Sequence, residues 1–260
     1  MPHNIRLVSV VLPTYDEREN IVPLLEAIHR VVREPHEIIV VDDNSPDGTS
    51  KAVSDFIRGH GASFVRLETR LSDRGLTKSI RRGIELAKGD TVVWMDCDFS
   101  MPPEKLPELL AKVEQGIMIA VGSRFVAGGS TKDFDAGGGK QESMLVIQLS
   151  RFLNWLTRVT LIRTFHDYTS GFIAVRREVL ESIPLRGDYG EYFMDFIVRA
   201  SLRGYTFVEI PYACIPRRAG ETKTGGSLRM IFRRGIKYLV VLGRLWMLKL
   251  GILCGRGKGR

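Results

Sequence analysis

The first half of the chain alternates short apolar, strand-like runs with stretches of helical periodicity, and this rhythm restricts the fold more than any other feature. Leu7–Leu12, Glu37–Val41, Phe64–Leu67, Thr91–Met95 and Ile117–Val121 read as strands. Between them, helical patterns run near Glu19–Val32, Thr49–Arg58, Gly75–Ala87 and Pro103–Gln115. Ile38–Val41 and Val92–Met95 are apolar at every position. A strand wetted on one face alternates apolar with polar, so these runs must be covered on both faces. The β-α-β-α order therefore predicts an α/β fold, a Rossmann-like, mostly parallel sheet with helices on both faces. At 260 residues the chain is long enough to bury a sizeable core in one such domain.

Acidic residues gather where three of these strands end. Asp16-Glu17 follow the first, Asp42-Asp43 the second, and Asp96 and Asp98 the fourth. In an open parallel sheet, ligands bind in the crevice beyond the carboxyl ends of the strands. Two carboxylates at i and i+2, in a chain that has begun to turn, can converge on one divalent cation. Mg2+ or Mn2+ takes such oxygen ligands and keeps places for substrate phosphates. The competing reading is a helix cap, with Asp98 or Ser100 capping the helix that Pro102-Pro103 opens. The strand-end position of all three acidic turns favours metal and phosphate. Cys97 has no His or second Cys nearby to build a zinc site and reads as packing in a crowded turn.

Beyond residue 125 the pattern loosens. Residues 126–143 hold Gly128-Gly129 and Gly137-Gly138-Gly139 and read as a mobile loop, a candidate lid. A helix over Met144–Thr160, a strand after Tyr168–Phe172, a helix near Tyr192–Arg203 and a strand over Thr206–Ile210 complete the expectation. The start carries no apolar signal region, and Cys97, Cys214 and Cys254 lie far apart, so a reducing compartment is expected.

The motifs Pro13–Asn20, Val41–Thr49, Asp96–Glu104 and Gly122–Phe125, followed in order by Thr169–Phe172, Glu209–Tyr212 and Arg217–Lys223, resemble dolichyl- and polyprenyl-phosphate mannose synthases. These are inverting family 2 glycosyltransferases of GT-A type, and the resemblance covers roughly residues 7–225. It implies transfer of mannose from GDP-mannose to a polyprenyl or dolichyl monophosphate, with a UDP-sugar such as UDP-glucose as the alternative donor. Pro13, Tyr15, Glu17, Val41, Asp43 and Cys97 would then line the nucleotide-sugar site, and Asp96 and Asp98 would hold the metal and diphosphate. Arg124, Arg217, Arg218 and Lys223 would meet phosphates, with Ser150, Arg151 and Asn154 near the acceptor. Asp98, Arg124 and Asp195 would be the catalytic set, although Asp195 equally fits a buried structural pair. Val146 stands where the family has an Arg, which leaves open a non-catalytic subunit role.

Charge distribution adds a partner. Twelve of the 38 Lys/Arg but only one of the 30 acids lie from Arg217 onward, leaving 26 basic and 29 acidic side chains before it. Such a tail is expected to meet an anionic surface. On a helix Arg229, Arg233, Lys237 and Arg244 fall within roughly 80° of one face, and large apolar residues populate the rest. This reads as a basic amphipathic helix, with Tyr238 and Trp246 as interface anchors, on the anionic cytoplasmic face of a membrane. A core helix with a solvated basic stripe is the alternative. Attachment would be peripheral, because Lys237, Arg244 and Lys249 interrupt any span, and a small membrane partner subunit is plausible. Residues 1–225 form the expected catalytic domain and 226–260 the tail. Nucleic acid is not expected, since the tail's aliphatic face offers no aromatic platform and the strand-end acids would repel it.

Overall fold

A computed structural model describes residues 3–131, 144–219 and 228–256. The elements follow the expected alternation: β1 (Val8–Thr14), α1 (Arg18–Val31), β2 (His36–Asp42), α2 (Thr49–His60), β3 (Val65–Thr69), α3 (Leu76–Leu86), β4 (Thr91–Trp94), α4 (Leu106–Glu114) and β5 (Ile119–Ser123). The second half adds α5 (Met144–Thr160), β6 (Ile173–Arg176), α6 (Arg177–Ser182), α7 (Glu191–Leu202), β7 (Phe207–Pro211) and α8 (Leu228–Arg256). The seven strands form one sheet in the order β3-β2-β1-β4-β6-β5-β7. Every pairing is parallel except those of β6, which runs against both β4 and β5. The chain enters β6 from the carboxyl-end side, where Ser170 Oγ donates to Gly122 O at the end of β5, so β6 runs back across the sheet.

Apolar strand residues divide between two cores. Val10, Leu12, Ile38, Val40 and Val93 face α1, α2 and α4, whereas Val11, Ile39, Val41, Val92 and Trp94 face α3, α7 and α8. Each fully buried aliphatic side chain contributes roughly 1.5–3 kcal/mol, which is why these strands carry no polar alternation. Helix α3 approaches the sheet so closely that a Cβ on Gly83 would stand 2.2 Å from Val11 Cγ1.

Helix α8 docks on the second core through Leu245, with Tyr238, Val241 and Leu242 beside it. Lys237 Nζ meets Asp188 at 2.7 Å, and Lys249 Nζ donates to Leu161 O at 2.7 Å. Tyr238, expected at a membrane interface, instead turns onto the domain, because it shares a helix face with Leu245 two turns away. Trp246 is half exposed, and Ile236, Leu239, Val240, Met247 and Leu250 are exposed with it. The apolar side of α8 thus splits into a docked stripe and an open one.

Candidate active site

The crevice is built at the carboxyl ends of β1, β2 and β4, and a strap over residues 213–219 crosses it. Each of the three strand-end turns contains a non-glycine residue in the left-handed region: Asp16 (φ 53°), Asn44 (φ 56°) and Phe99 (φ 65°). An L residue there costs roughly 1–2 kcal/mol, and such strain gathers at ligand sites. Neighbouring side chains hold the turns in place. Ser45 Oγ accepts from the Asp16 N–H at 2.9 Å and donates to Asp42, while Thr49 Oγ1 accepts from the Glu17 N–H at 3.0 Å.

Asp43 is buried, and its carboxylate is heavily engaged. Arg70 Nη1 and Ser79 Oγ each donate to Oδ1 at 2.7 Å, and the Gly75 N–H donates to Oδ2 at 2.7 Å. Arg70, which the sequence reading did not single out, is therefore a member of the site. Tyr15 is half-buried with the Arg74 guanidinium 5.7 Å above its ring. Val41 is fully buried in the second core, so it fixes the start of the Asp42-Asp43 turn and presents no side chain to the crevice. Pro13 carries the carbonyl that Cys97 Sγ approaches at 3.5 Å; Cys97 is buried and packs the β4 turn against the end of β1.

Of the paired acids, Asp98 is buried and Asp96 is exposed. The Ser100 N–H donates to Asp98 Oδ1 at 2.9 Å, an Asx-type turn rather than a helix cap. Asp98 Oδ2 lies 2.8 Å from Arg217 Nη2, and Arg217 Nη1 lies 3.3 Å from Glu17 Oε1. The strap is tied down further. The Arg218 N–H donates to Asp98 O at 3.2 Å, its guanidinium stands 5.4 Å over the Phe99 ring, and Asn20 Nδ2 donates to Ala219 O at 3.1 Å.

This donor set suits a hard cation. The buried Asp98 Oδ2 already has a positive group against it, and Glu17 brings a second carboxylate to the same guanidinium. Among the described residues no group of three or more His, Cys, Asp or Glu could hold a metal ion alone. A bound cation would therefore complete its shell with phosphate oxygens and water, as Mg2+ commonly does.

Just past the end of β5, Arg124 is clamped. Its Nε and Nη2 donate to the two oxygens of the fully buried Asp167 at 2.8 and 2.7 Å, and Nη2 also donates to Thr169 Oγ1 at 2.9 Å. Burial alone would lower the Arg124 pKa, but Asp167 beside it holds it above the ordinary value. Glu209 supports this group, accepting the His166 and Asp167 N–H groups at 2.8 and 2.9 Å and lying 2.8 Å from His166 Nδ1. Asn154 is buried with Oδ1 accepting from the Tyr168 N–H at 2.7 Å, so α5 is anchored to the same segment. Arg151, one turn earlier, is exposed. Asp195 pairs with Arg199 within α7, Nε donating to Oδ2 at 2.7 Å. The Ser150 side chain and Lys223, like residues 132–143 of the expected lid, lie outside the described set.

The sheet order and its crevice define a GT-A type glycosyltransferase fold. It is shared with the crystal structures of glucosyl-3-phosphoglycerate synthase from Mycobacterium tuberculosis (TM-score 0.66, 21% identity, covering 91% of this chain and 80% of that one). It is shared equally with mannosyl-3-phosphoglycerate synthase from Rubrobacter xylanophilus (TM-score 0.68, 19% identity, 94% and 74%). The chain belongs to glycosyl transferase family 2, whose family model matches residues 9–183. It is 37% identical to the polyprenol monophosphomannose synthase of Mycolicibacterium smegmatis, over 84% of this chain and 81% of that protein. It is also 34% identical to the dolichol-phosphate mannosyltransferase of Pyrococcus furiosus, over 87% of this chain. The alignment spans 63% of the length of that relative.

Proposed function

We propose that the protein transfers mannose from GDP-mannose to a polyprenyl monophosphate, with inversion and with a divalent cation in the crevice. The observation that carries this reading is the buried Asp98 at the end of β4, its Oδ2 turned to a cationic group beside Glu17. Relatives named for mannosyl transfer to polyprenol and dolichol phosphate support the choice of sugar and acceptor. A solved fold neighbour that holds Mn2+ and UDP supports a metal-dependent donor site.

In this mechanism Asp96 and Asp98 would hold the cation, which would supply positive charge against the departing diphosphate. Tyr15, Glu17 and Asp43 position the nucleoside, with Arg70 keeping the Asp43 carboxylate in place. Arg217 and Arg218 bring positive charge to the diphosphate. Arg124, fixed on Asp167, supplies a preorganised charge on the acceptor side at no reorganisation cost. The nucleophile is a phosphate oxygen. With a second pKa near 6, roughly one acceptor in ten is singly protonated at pH 7 and even that one is anionic, so no strong general base is required. The protein's task is to hold two polyanions in line, and a single displacement gives a β-linked product from an α-linked donor.

The acceptor is a lipid, and the open stripe of α8 suits a bilayer surface. Exposed Ile236, Leu239, Val240, Trp246 and Met247 lie beside the basic side of the helix, and exposed Phe152 and Trp155 on α5 add to the apolar surface. No helix among the described residues is long and apolar enough to cross a membrane. Attachment is therefore proposed as peripheral, on an anionic leaflet where each near-surface basic residue contributes about 1 kcal/mol.

A panel of radiolabelled GDP-mannose, UDP-glucose and related donors with a short polyprenyl phosphate tests the reaction. Label should pass to the lipid from GDP-mannose. Transfer from a UDP-sugar alone would correct the donor, and no transfer to lipid phosphate from any donor would refute the reading.

A further inference from the structure

We infer that Arg217 is a built-in counter-cation of the metal site, one that a divalent cation must displace from Asp98 and that then turns to the donor's diphosphate. The inference rests on the proposed metal–diphosphate reading of the crevice and adds an ordering device to it.

Asp98 Oδ1 is engaged by the Ser100 N–H at 2.9 Å. Its other oxygen, Oδ2, faces Arg217 Nη2 at 2.8 Å, and Glu17 Oε1 faces the neighbouring Nη1 at 3.3 Å. The guanidinium thus bridges two carboxylates brought together from the ends of β1 and β4, both of them buried, and it is itself mostly buried. Two buried acids side by side repel one another unless a positive charge lies between them. Arg217 supplies that charge, and a divalent cation reaching Asp98 Oδ2 must take over the same quadrant. A like charge at hydrogen-bond distance opposes that arrival, so cation and guanidinium are mutually exclusive on this oxygen. By linkage, each weakens the hold of the other.

The released guanidinium has a destination. Arg217 sits on a strap whose neighbours stay tied to the crevice floor, with the Arg218 N–H on Asp98 O, its guanidinium over Phe99 and Ala219 O on Asn20. It can therefore swing without leaving the mouth of the site. A diphosphate delivered with the cation offers a planar fork two anionic oxygens, the partner that Arg prefers. Cation alone meets a closed site, whereas cation with diphosphate exchanges one partner of Arg217 for another. The arrangement favours their joint binding over an idle metal in an empty enzyme.

Binding measurements on the full chain separate the possibilities. Free Mn2+ is followed by electron paramagnetic resonance for wild type and Arg217→Gln, and GDP binding at saturating Mn2+ is followed by calorimetry. The inference predicts that Arg217→Gln binds Mn2+ alone about tenfold more tightly than wild type, equivalent to about 1.4 kcal/mol. GDP should bind that variant about tenfold less tightly. Arg217→Lys, which keeps a charge but not the fork, should move both affinities in the same directions by less and guards against misfolding of the first variant. If wild type binds Mn2+ with GDP but neither variant gains Mn2+ affinity, the counter-cation role is overturned and the functional reading stands. If wild type binds no Mn2+ even with GDP, the functional reading fails and takes this inference with it.

Discussion

Removing the carboxylate of Asp167 is expected to be among the most damaging single changes outside the crevice. Asp167 is fully buried and accepts the Arg124 N–H at 3.0 Å, its Nε at 2.8 Å and its Nη2 at 2.7 Å. It also accepts the Thr169 N–H at 3.2 Å. Asp167→Ala leaves the Arg124 guanidinium, about one-fifth exposed, with no counter-ion in a pocket shaped for one. Breaking a buried pair from one side costs about 3–5 kcal/mol, a large share of the roughly 5–15 kcal/mol that holds a domain together. Arg124→Met should cost a comparable amount, because it strands the carboxylate instead. The double variant Arg124→Met/Asp167→Leu removes both charges but still leaves the Arg124 and Thr169 N–H groups without their acceptor, at about 1–3 kcal/mol each. It should therefore fall short of the summed single losses by about 0.5–3 kcal/mol, the coupling expected of residues in contact. Urea unfolding followed by tryptophan fluorescence measures all three. A loss below about 1 kcal/mol for Asp167→Ala, or single losses that simply add, would refute the reasoning.

Other outcomes follow from burial and packing. Burial pushes the phenols of Tyr168, Tyr192 and Tyr212 well above their ordinary value of 10.0. Their stabilising contribution is complete below that value and is lost as pH rises above it, because the unfolded chain then releases protons that the fold retains. Stability should fall above pH 10 with a limiting slope of about 4 kcal/mol per pH unit for the three, and a flat urea midpoint between pH 10 and 11 would contradict this. Gly83→Ala should cost about 1–3 kcal/mol in thermal or urea unfolding, since its Cβ would meet Val11, and Val11→Ala in the same chain should recover part of the loss. Trp246→Ser with Met247→Ser should weaken flotation with anionic vesicles at least about tenfold while leaving the unfolding midpoint unchanged, because both side chains are exposed. Undiminished flotation would remove α8 from the membrane surface.

Much of the sheet could be read from residue patterns, because a strand buried on both faces leaves no room for polar alternation. Ile38–Val41 and Val92–Met95 carried that signal, and alternate residues of each run do enter opposite cores. The reversed direction of β6 was hidden, since four residues announce a strand but not which way it runs. The short helix α6, at six residues, carries too little periodicity to be seen. Local spacing singled out the acidic turns, Asp42-Asp43 and Asp96/Asp98 among them, but not the distant residues that hold buried carboxylates in place. Arg70 is 27 residues from Asp43 and Arg124 is 43 from Asp167, distances over which sequence pattern is silent. On α8 the helical angles were legible, but not which neighbour would cover which stripe, and so Tyr238 packs on the domain while Trp246 stays exposed.

In the proposed reaction the turn after β4 would grip a divalent cation together with the donor's diphosphate. Crystals grown with Mn2+ and GDP, and measured at the manganese absorption edge, test it directly. An anomalous peak within coordination distance of Asp98 and beside the β-phosphate, with the Arg217 guanidinium moved from Asp98 onto phosphate oxygen, is the predicted result. A nucleotide bound elsewhere, or bound at the strand ends with manganese absent from Asp96 and Asp98, would contradict it.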